Sequence, residues 1–286
     1  MRELSKDVLI ERSIIKKFRK QIWSPFIEAV QRYKLIEEGD KIAVCISGGK
    51  DSFLLAKLMQ QLHRHSIVKF DLVFLAMDPG YNKANREKIE ANARLMNIDV
   101  EIFETDIFNV AFETAKSPCY LCARMRRGYL YANAKERGCN KIALGHHMSD
   151  VIETTLMAMM HSSQLQAMLP RLKSTNFEGM ELIRPMYCIL EDAIESWRDY
   201  NDLSFLQCAC RFTENLASGD GTGASKRQDT KLLIKELKKT NSDIEHNLFE
   251  SLHNVMVDTF PEYKLSGERH SFLERFEGGE DDEQNI

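Results

Sequence analysis

Lys41-Ile42-Ala43-Val44-Cys45-Ile46-Ser47-Gly48-Gly49-Lys50-Asp51-Ser52 is the stretch on which the fold turns. An apolar run of strand length stops at a glycine pair and restarts as Phe53-Leu-Leu-Ala-Lys-Leu-Met59, which reads as a helix. The expectation is a buried strand, a tight turn and a helix in immediate succession. Two glycines let the backbone bend sharply and approach an anion, while the first free N–H groups of the helix point at it. Lys50 adds a full positive charge, and the hydroxyls of Ser47 and Ser52 can donate to phosphate oxygens. Asp51, in the first helical turn, suits either a magnesium ion or the helix dipole. The spacing is not that of the Walker loop, which has four residues between its glycines and a Gly-Lys-Ser/Thr ending. An ordinary Gly-Gly turn with a serine cap is the plain alternative.

Outward from this stretch, strands alternate with helices. Phe70–Met77 reads as a second buried strand ending in the turn Asp78-Pro79-Gly80, and Lys83–Met96 as a helix. Asp99–Phe103 and Lys141–Leu144 read as further strands, the latter followed by Gly145-His146-His147, with Asp150 opening another helix. Glu181–Pro185 reads as a fifth strand before the helix Leu190–Tyr200. This alternation predicts an α/β fold with a parallel sheet covered by helices on both faces. Ligands of such sheets lie at the carboxyl ends of the strands, which collects the Ser47 loop, the Asp78 turn and the Gly145 turn along one edge. Before the sheet, Ile10 to Leu35 has near-helical apolar spacing interrupted at Pro25. After it, Gly219–Gly223 reads as a linker, and Lys226–Lys239 and Asp243–Thr259 as two amphipathic helices. The expected organisation is a helical segment over 1–36, a nucleotide-binding domain over 37–212, and a linker, helices and acidic tail over 213–286.

With 286 residues, 43% of them hydrophobic, the chain can bury a large core. No apolar run is long enough to span a membrane, and the mixed charges of Met1–Asp7 carry no export signal, so a cytoplasmic location is expected. The formal net charge of −4 hides local basic regions. Residues 1–34 hold nine Lys/Arg against four Asp/Glu, and 222–239 hold six against two, while Glu280-Asp-Asp-Glu283 is a solvated acidic run. Basic surfaces of this kind can attract nucleic-acid phosphate and are also common as plain solvated helix faces.

Seven cysteines, an odd number without an export signal, argue for thiols or metal ligands over a disulfide framework. Cys119-Tyr-Leu-Cys122 can bind a metal centre or form a redox pair. A zinc site normally wants four ligands, and the chain offers only Cys208-Ala-Cys210 as a distant partner; three cysteines suit an iron–sulfur cluster with one open iron. Burial as apolar filler is the plain reading of Cys208 and Cys210, and the expected one for Cys45, Cys139 and Cys188.

The Ser47–Ser52 loop resembles the pyrophosphate loop of the ATP-pyrophosphatase superfamily, whose members adenylate a substrate and release pyrophosphate. Together with Cys119-x-x-Cys122-x-Arg124-x-Arg126-Arg127-Gly128, Lys141-Ile-Ala-Leu-Gly-His-His147 and the cysteines beyond Ile183-Arg-Pro-Met186, it is similar in order and spacing to the tRNA 2-thiocytidine synthetases. The likeness covers roughly Leu35 to Cys210. It implies a Rossmann-like, adenine nucleotide alpha hydrolase-like fold and an ATP-dependent transferase that thiolates a cytidine of the tRNA anticodon loop. It also implies ATP, Mg2+ and a 4Fe-4S cluster as cofactors. Cluster ligands would be Cys119, Cys122 and Cys210, with Cys208 as second choice, since the family has Cys-x-x-Cys where this chain has Cys-x-Cys. Gly145-His-His-Met-Ser-Asp150 likewise stands where the family has Gly-His-His-Arg-Asp-Asp.

On this reading Ser47, Gly48, Gly49, Lys50, Asp51 and Ser52 bind ATP and magnesium, with Asp51, Cys119 and Cys122 catalytic. A base oxygen attacks the α-phosphorus, pyrophosphate leaves, and sulfur then displaces AMP. Positioning and charge neutralisation carry most of such phosphoryl chemistry. Asp78, Gly145, His146, His147 and Asp150 are candidates for nucleotide or metal contact, against turn, cap or packing roles. Arg124, Arg126 and Arg127 are candidates for guiding tRNA, against a solvated helix face. Expected partners are tRNA and a sulfur donor such as a cysteine desulfurase, with a homodimer possible and no membrane. The alternatives are a lysidine synthetase-like ligase, which leaves the cysteines unexplained, and a non-catalytic metal- and RNA-binding protein.

Overall fold

The computed structural model describes residues 4–107, 118–206 and 222–277. Lys41–Ile46 forms strand β1 and Lys50–His65 the helix α3, so the turn of the opening stretch is three residues long. Six strands make one sheet: β3 (Val100–Glu104), β2 (Asp71–Asp78), β1, β4 (Lys141–Ala143), β6 (Glu181–Ile183) and β5 (Arg171–Lys173), in that order. All neighbours are parallel except the β5–β6 pair. β1 shows why the sheet is covered on both faces. Its Ile42, Val44 and Ile46 join one core with Phe53 and Leu54 of α3, while Ala43 and Cys45 join another with Tyr131 and Ala134 of the helix α5 (Pro118–Glu136). A strand buried on both sides loses polar alternation and reads as a continuous apolar run.

The first core also takes in the N-terminal segment. Here α1 (Lys6–Arg12) and α2 (Ser24–Arg32) are joined by two π-helical turns, Ser13–Lys17 and Arg19–Trp23, rather than by a simple kink at Pro25. Pro25 lies in the first turn of α2, where its missing N–H costs little. The wider turns keep Ile14, Phe18, Ile22 and Phe26 on the buried side. α4 (Lys83–Leu95) follows β2, and α6 (Met148–Ser162) and α7 (Glu191–Tyr200) follow β4 and β6.

Below the amino ends of the strands, Lys141 is 1% exposed and its Nζ donates to Asp40 Oδ2 at 2.7 Å and Glu37 Oε2 at 3.3 Å. Arg171 holds Glu37 at 2.9 Å and Glu181 at 2.7 Å, closing a network on the edge opposite the expected ligand.

The chain divides into two units, Met1–Leu233 and Ile234–Ile286. The division falls inside α8 (Thr222–Thr240), so Thr222 and Gly223 are helical where a linker is expected. The second unit continues with α9 (Ile244–Ser251) and a hairpin of β7 (Glu262–Leu265) and β8 (Glu268–Ser271). The expected helix Asp243–Thr259 thus stops at Ser251, apart from a short 3-10 turn at Val257–Thr259. Among the described residues no helix is long and apolar enough to cross a membrane.

Candidate functional site

In the strand order β3-β2-β1-β4-β6-β5, the chain runs outward from β1 to β2 on one side and starts again at β4 on the other. The loops after β1 and β4 therefore part at their carboxyl ends, leaving a crevice where open α/β sheets bind ligands. Ser47–Gly49 leaves β1 there, and Leu144–His147 leaves β4.

Gly48 has φ +92°, a conformation open to glycine and strained for other residues. A Cβ there would lie 2.8 Å from Leu206 Cδ1 and 3.0 Å from Ile89 Cγ1. Gly49 caps α3 in extended conformation, and a Cβ on it would meet nothing closer than 3.7 Å. Gly145 is the corner between the two loops. A Cβ on it would stand 3.1–3.2 Å from the backbone of Asp51 and Ser52, so the β4 turn rests directly on the first turn of α3. Ser52 Oγ donates to Gly49 O at 2.9 Å and Ser47 Oγ to Ser52 Oγ at 3.3 Å, which holds the hydroxyls inside the turn.

Charges surround the turn. Lys50 Nζ lies 2.9 Å from Glu191 Oε1 and 3.4 Å from Asp51 Oδ1. Burial works against its ammonium, and the two carboxylates outweigh this and hold its pKa above the ordinary lysine value. Glu191 is shared, its Oε2 taking Lys231 of α8 at 2.7 Å. Burial pushes the Glu191 carboxyl up, but hydrogen bonds from Lys231 and Lys50 outweigh it and bring the pKa to about 2. Asp51 Oδ1 is buried and accepts no hydrogen bond. An unsatisfied carboxylate oxygen at a helix N-terminus fits a hard cation, and magnesium commonly takes one or two carboxylates and completes its shell with phosphate oxygens and water. Among the described residues no three His, Cys, Asp or Glu side chains form a ready metal cluster.

His147 caps α6. It is 3% exposed, Asp150 N donates to its Nδ1 at 3.4 Å, and His147 N donates back to Asp150 Oδ2 at 3.1 Å. Asp150 Oδ1 accepts from Arg227 of α8 at 2.9 Å, and Arg227 also donates to the buried Glu153 at 2.7 Å. Nothing in the spacing of the sequence marked Glu153, Glu191, Arg227 or Lys231, because they come from three helices that only the fold brings together. His146 keeps a buried Nδ1 without a partner; burial, followed by the Arg184 charge, lowers its pKa to about 4.

Asp78 ends β2 as expected, with its carboxylate engaged. Its Oδ1 accepts from Gly80 N at 2.9 Å and Tyr81 N at 2.7 Å, and its Oδ2 from Arg86 at 2.8 Å. This forms the Asx turn anticipated as its alternative role.

Cys119 and Cys122 lie at the start of α5, and Arg124 and Arg127 are exposed on the same helix, with Arg126 half-buried. Cys208 and Cys210 lie outside the described residues. Cys45, Cys139 and Cys188 are buried thiols; burial pushes Cys45 up to about 12. Of seven cysteines, three are thus locked in the core, and those remaining are the two pairs singled out for a cluster.

Residues 16–210 match the family model described as a PP-loop domain, ATP_bind_3. A tRNA-cytidine(32) 2-sulfurtransferase of Geobacter metallireducens is 35% identical over 230 residues, covering 79% of this chain and 86% of that protein. One from Pseudomonas fluorescens is 32% identical over 242 residues, covering 83% and 85%. Among solved structures, a U34-tRNA thiolase of Methanococcus maripaludis, described with its 4Fe-4S cluster, matches with a TM-score of 0.63 and 19% identity. The match covers 85% of this chain and 80% of that one, and at that identity it is a likeness of fold.

Proposed function

The chain belongs to the PP-loop family and, within it, to the tRNA-cytidine(32) 2-sulfurtransferases, and from that premise we propose how its residues carry out ATP-dependent thiolation of a tRNA cytidine. The observation that carries the assignment of residues is the Ser47–Ser52 turn at the sheet's switch point, with Lys50 and Asp51, whose buried Oδ1 accepts no hydrogen bond, at the N-terminus of α3. ATP lays its terminal phosphates on the free N–H groups of Gly49 to Asp51 and on the Ser47 and Ser52 hydroxyls. Lys50 exchanges part of its pairing with Glu191 for phosphate oxygen. Asp51 would hold a magnesium ion, which when bound supplies charge neutralisation for the phosphates. The O2 atom of the cytidine attacks the α-phosphorus, pyrophosphate departs, and C2 becomes open to sulfur as AMP leaves. Gly145 and His146 line the nucleotide side of the crevice, and Asp150, fixed by His147 and Arg227, faces the same corner. Asp78 acts by shaping the turn after β2.

Cys119, Cys122 and Cys210, with Cys208 the alternative third ligand, would hold a 4Fe-4S cluster. Soft thiolates are the donor set such a cluster requires, and the core location of the other three cysteines leaves these to provide it. When bound, the cluster supplies a soft site for the incoming sulfur. Arg124, Arg126 and Arg127, on the cysteine-bearing helix, draw the tRNA backbone toward it. Sulfur comes from a separate donor of the cysteine desulfurase type, and the enzyme works in the cytoplasm, as a homodimer or alone.

Mass spectrometry of tRNA nucleosides from cells with and without the gene tests this reading. The expected result is loss of 2-thiocytidine alone. An unchanged nucleoside profile, together with no tRNA-dependent pyrophosphate release by the reconstituted protein, refutes it.

A further inference from the structure

β4 and β6 are adjacent parallel strands, and Leu144 N donates to Ile183 O at 3.0 Å where both end. His146 and Arg184 therefore leave the carboxyl edge of the sheet on neighbouring strands, one and two strands beyond the pyrophosphate loop. Arg184 is 9% exposed. Its Nη1 donates to Leu169 O, while its Nε is buried without a hydrogen-bond partner. In a planar guanidinium, Nε–H and the adjacent Nη2–H point the same way, forming a fork that matches two acceptor oxygens. His146 Nδ1, on the neighbouring turn, is likewise buried without a hydrogen-bond partner.

The local charge is unbalanced. Burial, helped by the nearby Arg127, brings the Arg184 pKa down to about 10 against the opposing pull of Tyr187, Tyr131 and Asp150. Asp150 is the carboxylate among these neighbours, and it already accepts from His147 and Arg227. A buried guanidinium with a free two-donor edge and a second arginine nearby calls for an anion with paired oxygens.

We propose that Arg184, with His146 beside it and Arg127 nearby, forms a second oxyanion subsite that takes the phosphate of AMP as it is generated and released. The assignment rests on the thiolation reading above. It favours the nucleotide over an RNA phosphodiester because His146 directly follows Gly145, whose Cα packs against the first turn of α3. The phosphate next to the loop-bound pair in ATP is the one that remains in AMP.

The test uses the full chain, with AMP and ATP titrated calorimetrically and unmodified tRNA bound on filters at one fixed salt concentration. Arg184→Gln is expected to weaken AMP binding by about ten- to a hundredfold, the loss of a charge-assisted pair, and to leave tRNA affinity within about twofold. Arg184→Lys keeps the charge without the fork and recovers only part of the AMP affinity. If tRNA affinity falls instead while AMP binding is unchanged, the phosphate recognised there belongs to the RNA backbone and the AMP assignment is overturned. If neither changes in a variant that melts like the wild type, there is no oxyanion subsite. Arg127→Gln, at an exposed position that does not threaten folding, is expected to weaken AMP binding severalfold, and an unchanged value counts against the proposal even if Arg184 variants fail to fold. A wild-type chain that binds neither ATP nor tRNA defeats the functional reading itself, a different outcome from wild-type binding that Arg184→Gln leaves intact.

Discussion

Gly48→Ala separates the backbone requirement of the loop from its chemistry. The residue has φ +92°, where a side chain costs on the order of 1–2 kcal/mol. The new methyl would also lie 2.8 Å from Leu206 Cδ1 and 3.0 Å from Ile89 Cγ1. Leu206 is partly buried and can swing its terminal carbon aside, but Ile89 is 1% exposed and fixed in the core. Relieving that contact adds about 1–2 kcal/mol, in the range of a small overpacking. Reduced freedom of the unfolded chain returns roughly 0.5 kcal/mol. The net loss is about 2–3 kcal/mol, or roughly 5–10 °C in melting temperature for a unit of this size. Gly49→Ala is the control, since its Cβ meets nothing within 3.7 Å and its φ is ordinary, at −83°. It should melt within a few degrees of wild type while binding ATP more weakly, because its methyl enters the space left for phosphate. Thermal denaturation with and without ATP measures both. A Gly48→Ala protein that melts with the wild type, or a Gly49→Ala protein destabilised as much as Gly48→Ala, would show that the backbone reasoning is wrong.

Three other outcomes follow from the charges and thiols. Glu191 has its folded pKa lowered to about 2, so its contribution to stability is complete above the unfolded carboxyl value and is lost as pH falls through about 2. Glu191→Gln should flatten the acid limb of the stability curve between about pH 4.5 and 2, measured by denaturant titration at stepped pH, and an unaltered limb contradicts the assignment. Lys141→Ala leaves Asp40 buried without its cation and should cost about 3–5 kcal/mol in urea unfolding, with ATP affinity of the folded protein unchanged; a loss below about 1 kcal/mol would mean the network is dispensable. Protein purified anaerobically should be brown and lose colour and iron in Cys119→Ser and Cys122→Ser, but keep both in Cys139→Ser. Stoichiometric zinc in a colourless preparation would exclude the cluster.

The strands were legible because the sheet is buried on both faces. The apolar run before the glycine pair is the strand Lys41–Ile46, and β2, β3, β4 and β6 differ from their expected bounds by one or two residues at one or both ends. β5 was not foreseen, since Arg171-Leu172-Lys173 is too short and too charged to show a pattern and is defined by its antiparallel pairing to β6. The hairpin of β7 and β8 was missed for a related reason: its strands are largely exposed and lack an apolar face. Within the site, the Ser47–Ser52 loop announced itself because its function depends on local backbone geometry. His147 was read both as a candidate for adenylate contact and as a packed, hydrogen-bonded histidine, and the fold shows its Nδ1 taking Asp150 N as a helix cap. The bridge Lys50–Glu191–Lys231 joins positions far apart in the chain, and only the tertiary fold could reveal it.

The contact of Gly145 with the first turn of α3 has a mechanical consequence. A Cβ on Gly145 would stand only 3.1 Å from the main chain of Asp51, so the two loops are in direct backbone contact and neither can move toward the other alone. On the proposed assignment, the phosphate and adenylate contacts are therefore set with common error, as two jaws cut from one block. Any motion that admits a folded RNA and later releases it has to come from elements hinged elsewhere.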